Sequence, residues 1–162
     1  MTETKNNAEL TKTLVDNLRT SHAHATLDKA LRGLPEDDRG LVPKGLPYSI
    51  WQLVEHIRIT QWDMVMFSID PSHVSPSWPD GYWPARLQPV PDRLWKESLK
   101  RIEDDRETFI RHLEKPESDL VTPFRHGEGQ TLLQEAVQII DHNAYHTAEI
   151  IVVRRLLGNW KG

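Results

Sequence analysis

The sequence predicts an all-α fold, a four-helix bundle with a long connection between its second and third helices. Three observations point to it. All eleven prolines fall into three clusters, four proline-free segments of helical length lie around them, and two of those segments open with strong helix-start signals. None of the four carries the sustained apolar–polar alternation of a half-buried strand.

The first segment runs from Asn6 to Gly33, ahead of the cluster Pro35, Pro43 and Pro47, and is expected to form one helix. The second, Ser49 to Ile69, begins with Ser49 and Gln52 at capping-box spacing, where hydroxyl and amide side chains satisfy free backbone groups of the first turn. The third covers Asp92 to Lys115. The fourth, Thr131 to Gly158, repeats the capping box with Thr131 and Gln134, and Gly158 supplies a left-handed end. Between the second and third helices, Asp70 to Pro91 is long for a bundle, where connections usually run about 2–8 residues. A helix of about 20 residues is about 30 Å long, and such a connection can return over that distance and set helices two and three parallel. Its aromatics Trp78, Tyr82 and Trp83 suit either a lid over the core or the wall of a ligand pocket or dimer contact.

Length and composition bound the function. A chain of 162 residues suits a single domain over residues 1–162, which can bury about 70% of its unfolded surface. With 38% hydrophobic and 27% charged residues it reads as globular, and no apolar run approaches the ~20 residues of a membrane span. The amino end, MTETKNNAELTK, lacks the apolar centre of a secretory signal, so a cytoplasmic protein is expected. Cysteine is absent, which removes disulfides, thiolate ligands and a cysteine nucleophile together. A net charge of -4 without a basic cluster argues against nucleic acid as a partner.

Any metal site must therefore use His, Asp or Glu. His142 and His146 are one turn apart on the fourth helix, in a stripe with Glu135, Ile139, Glu149 and Val153, and this spacing lets two imidazoles reach one ion. The second helix is apolar nearly all round and so should be buried, yet His56 sits in it on a narrow polar stripe with Gln52, Thr60 and Asp63. Taken alone, His56 suits a core histidine bonded to Asp63 or to a backbone carbonyl. His22, His24, His73, His112 and His126 form no comparable constellation.

The stretches SIWQLVEHI, from Ser49 to Ile57, and DHNAYHTAEIIVVRRLLGNW, from Asp141 to Trp160, resemble the DinB-like family, which includes bacillithiol and mycothiol S-transferases. Trp51 and His56 match one family motif; His142, His146, Arg155, Leu157 and Gly158 match the other. The resemblance implies an up-down-down-up bundle, a divalent metal ion held by His56, His142 and His146, and frequently a homodimer. Glu149 departs from the family, which often carries Gln there, and is assigned no role.

Three neutral imidazoles leave a coordination position open, the pattern of a catalytic site. Zinc, nickel and iron all suit such ligands. The expected function is a metal-dependent enzyme of the S-transferase or hydrolase type, acting on a small molecule, with a low-molecular-weight thiol as one candidate substrate. The alternative is a non-enzymatic bundle that binds a metal or a small molecule. H-N-A-Y-H lacks the glutamate of the zinc-peptidase motif, which argues against peptidase chemistry; Asp63 and Glu135 remain as candidate bases.

Overall fold

The computed structural model describes residues 2–161, with side chains from residue 7 onward. Five α-helices follow one another: α1 (Thr2–Arg19), α2 (Leu27–Leu31), α3 (Ile50–Ile69), α4 (Asp92–Leu113) and α5 (Leu132–Leu156). Short 3-10 turns lie at Glu36–Asp38 and Asp80–Tyr82, and no strand occurs among the described residues. No helix among them is long and apolar enough to cross a membrane.

The predicted capping boxes form at both sites. Ser49 Oγ accepts from the Gln52 amide while the Gln52 side chain accepts from the Ser49 amide, and Thr131 and Gln134 repeat the exchange. At the far end of α5, Gly158 takes φ +75° and the Asn159 amide donates to the Arg154 carbonyl, closing the helix as its sequence suggests.

The single first helix expected from Asn6 to Gly33 is instead two, separated by residues 20–26. Polar side chains in this stretch bond to the backbone and compete with helical pairing. Ser21 Oγ accepts from the His24 amide, and Thr26 Oγ1 accepts from the Lys29 amide to cap α2. The second piece turns aside to pack on α5, to which Arg154 clamps it by donating to the carbonyls of Ala30 and Arg32.

α3 packs against both α4 and α5, and α1 packs against the same two helices. No residue of α3 is exposed, as its nearly continuous apolar circumference requires. Two apolar clusters result. One joins Val65 of α3, Phe109 and Leu113 of α4, Leu132 and Ile139 of α5, and Leu14 and Leu18 of α1. The other joins Ile50 and Ile57 of α3, Trp95 and Ile102 of α4, and Ile150 and Val153 of α5. Between them α3 and α5 carry polar side chains, with Asn143 donating to Gln61 and Gln61 to the Ile102 carbonyl.

Local anchors hold the segment between α3 and α4 against the first turn of α3 and the segment before it. Gln52 Nε2 donates to the Pro84 carbonyl, Gln88 Nε2 to the Asp37 carbonyl and Arg86 to the Pro47 carbonyl. Gly40 allows the closest approach, since an added Cβ would lie 2.1 Å from the Leu87 carbonyl oxygen.

Candidate metal centre

Packing of α3 on α5 brings His56, His142 and His146 together, with one ring nitrogen from each lying within 4.8 Å of the others. Nε2 of His56 and Nε2 of His142 are 3.1 Å apart. Two nitrogens that each sit about 2.1 Å from one ion, at roughly 95–110° to one another, are separated by about 3.1–3.4 Å. The spacing therefore fits a shared ion.

The outer nitrogens fix which lone pairs point inward. His56 Nδ1 donates to the Tyr82 carbonyl at 2.9 Å, and His146 Nδ1 donates to Glu149 Oε2 at 2.6 Å. Neither acceptor can donate, so each Nδ1 carries the hydrogen and each Nε2 is left as a lone pair. This is the support by which proteins orient histidine ligands. Nδ1 of His142 is buried without a partner, so the tautomer of this third ring is not held in the same way.

Burial favours the neutral form of His56 and His142. His142 is pushed down to about 4, by desolvation first and then by its two histidine neighbours; His56 is lowered mainly by desolvation. Neutral imidazoles are the ligating form.

Further side chains frame the cluster. The Trp83 ring stacks on His56 with centroids 4.0 Å apart and planes 5° apart, and Tyr145 meets His146 edge-on. Tyr48 donates to Glu149 Oε1 at 2.6 Å, completing a chain from His146 through Glu149 to Tyr48. Its hydroxyl is pushed up to about 12 by burial and by the bond to Glu149. Of the two readings for His56 alone, the backbone carbonyl is the partner. Asp63 instead accepts from Tyr82 Oη at 2.6 Å and from His73 Nε2 at 2.7 Å, so both its oxygens are engaged.

Residues 19–150 match the DinB superfamily. The chain belongs to the DinB superfamily. No curated protein and no solved structure matches it.

In this DinB-superfamily protein the three histidines open onto a cavity of about 620 Å³. Trp78, Tyr82 and Trp83 all line it, so the aromatics of the long connection form a pocket wall. Trp78 and Tyr145 are both exposed and stand at its edge. Deeper in, Glu135 is 4% exposed and forms no side-chain hydrogen bond among the described residues. Its carboxyl is pushed up to about 7, by burial first and by the nearby Asp63 charge second.

The other five histidines stay outside the cluster. His22 and His24 line a separate cavity of about 170 Å³, and His126 donates to the Phe67 carbonyl. His73 reaches the site indirectly through Asp63. Sequence reasoning gave no role to His73, Glu149 or Tyr48. For Glu149 the available signal was its position one turn beyond His146; for Tyr48, 101 residues from Glu149 along the chain, there was none.

Proposed function

We propose that His56, His142 and His146 hold one divalent metal ion and that this protein is a metal-dependent enzyme acting on a small molecule. The observation that carries the reading is the 3.1 Å approach of two Nε2 atoms whose third companion, like one of them, has its Nδ1 hydrogen committed elsewhere. Zinc, nickel or iron fits three imidazoles. Such an ion supplies Lewis acidity toward a small nucleophile, water or a thiol, and so supports hydrolysis or S-transfer. The chain's own groups orient the imidazoles and supply the aromatic cavity wall. Glu135, with no hydrogen-bond partner, is the better candidate for proton transfer than Asp63, whose oxygens are both engaged. Metal analysis after purification without a nickel column tests the reading. About one equivalent of ion per chain is expected under the one-ion, three-ligand arrangement, and a metal-free protein that takes up none from buffer would refute it.

The supporting chain makes a graded prediction. Tyr48→Phe and Glu149→Gln each leave the three imidazoles in place but loosen the hold on His146. Each is expected to weaken metal affinity about tenfold, at the lower end for such supporting groups. Competition titration against a chelator reads this directly, and unchanged affinity in both variants would remove Glu149 from the site.

The same proposal includes one domain built as an up-down-down-up bundle. The carboxyl-terminal parts of α3 and α4 share an apolar cluster with the amino-terminal part of α5, while their opposite ends share the other, which suits parallel α3 and α4 with α5 running back. Arg19 at the end of α1 reaches Glu107 of α4, and Asn7 and Leu113 line one cavity, which suits an α1 antiparallel to α4.

A homodimer belongs to the proposal as well. Val137, Tyr145, Val152 and Leu156 are 44–62% exposed and recur along one face of α5, where two-fold pairing would cover them. Light scattering is expected to return twice the 18.8 kDa of one chain, and Val152→Asp to halve it. A parent protein that stays at 18.8 kDa across a wide concentration range would refute the dimer.

A further inference from the structure

The cavity over the three histidines has a chemical polarity of its own. No lysine and no arginine lines it among the described residues, whereas two carboxyl groups, Asp63 and Glu135, do. Thr60, 8% exposed, also lines it, and its Oγ1 is buried without a hydrogen-bond partner. A buried polar atom without a protein partner calls for one from elsewhere, as Thr60 Oγ1 does here, and the Glu135 carboxyl lines the same cavity with no side-chain hydrogen bond among the described residues.

The layout sets the distance between the two ends. Glu135 and His142 are seven residues apart on α5, two turns and about 10 Å along the axis. The cavity spans both residues. Its walls include Phe67, Trp78, Tyr82 and Trp83, flat surfaces suited to an aromatic or other apolar body. Aromatic faces and an unpartnered carboxylate, with no basic side chain, form the environment that receives organic cations. With an ion bound, the histidine end would accept a neutral, electron-rich group.

We infer that this cavity takes a primary ammonium compound with an aromatic body, its ammonium donating to Glu135 and Thr60 and its other end facing the histidines. The inference rests on the proposed small-molecule function and narrows its substrate class. It weighs against polyanionic thiols, whose carboxylates or phosphates would enter without a side-chain counter-charge. Asp63 reinforces the choice, because its charge lies close enough to Glu135 to disfavour a second negative group there.

The test is calorimetric titration at pH 8 with three probes of one shape: 2-phenylethylammonium, 2-phenylethanol and 3-phenylpropionate. Each is titrated into the zinc-loaded and the chelator-treated full-length protein, with zinc content measured on the same samples. The ammonium is expected to bind at least about tenfold tighter than the carboxylate, the scale of one charge-assisted hydrogen bond. In Glu135→Gln the preference should fall to within about twofold, while 2-phenylethanol binding stays unchanged. Thr60→Val provides a second variant that removes only the hydroxyl, and it should weaken the ammonium more than the alcohol.

Equal or tighter binding of the carboxylate, an ammonium preference that survives Glu135→Gln, or no binding of any probe at millimolar concentration would overturn the inference. Failure of the metal reading would show separately, as absent zinc in samples that still prefer the ammonium.

Discussion

A chain carrying His142→Ala is expected to lose its metal while keeping its helices. Removing one of three ligands exceeds the loss of a supporting group, so affinity should fall by more than about 100-fold. Among the three positions this is the cleanest to change. His56→Ala would strip Trp83 of its stacking partner and leave the Tyr82 carbonyl without a donor, and His146→Ala would leave Glu149 held by Tyr48 alone. His142 Nδ1 has no partner to orphan, and the side chain is half-buried. Thermal unfolding gives a second readout, because a ligand that binds only the folded chain stabilises it by about 4 kcal/mol at 1,000 times its Kd. Zinc should therefore raise the Tm of the parent and leave that of His142→Ala where it was. A variant that still binds zinc with parental affinity would sink the three-ligand site, and one that loses its far-UV circular dichroism would show that His142 serves the fold instead.

Local chemistry explains which parts of this arrangement the sequence announced. Three of the four predicted segments became α3, α4 and α5, because prolines bracket them and because Ser49–Gln52 and Thr131–Gln134 close their own first turns. The approach of His142 to His146 follows from helical spacing alone. The break in the first segment carries no proline; Ser21 and Thr26 stop the helix by short-range hydrogen bonds, in a stretch between Leu18 and Leu27 whose only apolar residues are Ala23 and Ala25. Glu149 illustrates a different limit. Its spacing from His146 was visible, but its second partner, Tyr48, arrives from a loop before α3. The Tyr82 carbonyl that orients His56 is a backbone group, and side-chain identity at that position says nothing about it. Asp63 and Glu135 looked equivalent in sequence. Packing separates them, because the connection between α3 and α4 supplies Tyr82 and His73 to Asp63 and brings no hydrogen-bond partner to Glu135.

That difference predicts how stability depends on pH. Burial and the Asp63 charge raise the Glu135 carboxyl from its ordinary 4.5 to about 7 in the folded chain. Between these two values the folded state holds a proton that the unfolded state has released, so stability falls as pH rises through the window. Below it Glu135 is protonated in both states and carries no such penalty. Above it the folded chain bears the full cost of a buried charge, about 3 kcal/mol for a shift of this size. Glu135→Gln keeps the shape and removes the titration. In metal-free protein the variant should therefore match the parent at pH 4 and exceed its stability by about 3 kcal/mol at pH 8, read from urea midpoints at constant slope. His142 also titrates across this range, with a folded value of about 4, but it does so in both proteins and cancels in the difference. A stability difference of the same size at both pH values would show that Glu135 is not the buried, proton-holding group described here. Zinc adds a further sign. A divalent cation in the same cavity favours the carboxylate form, so loading the protein should lower the Glu135 value and shrink the advantage of the glutamine at pH 8.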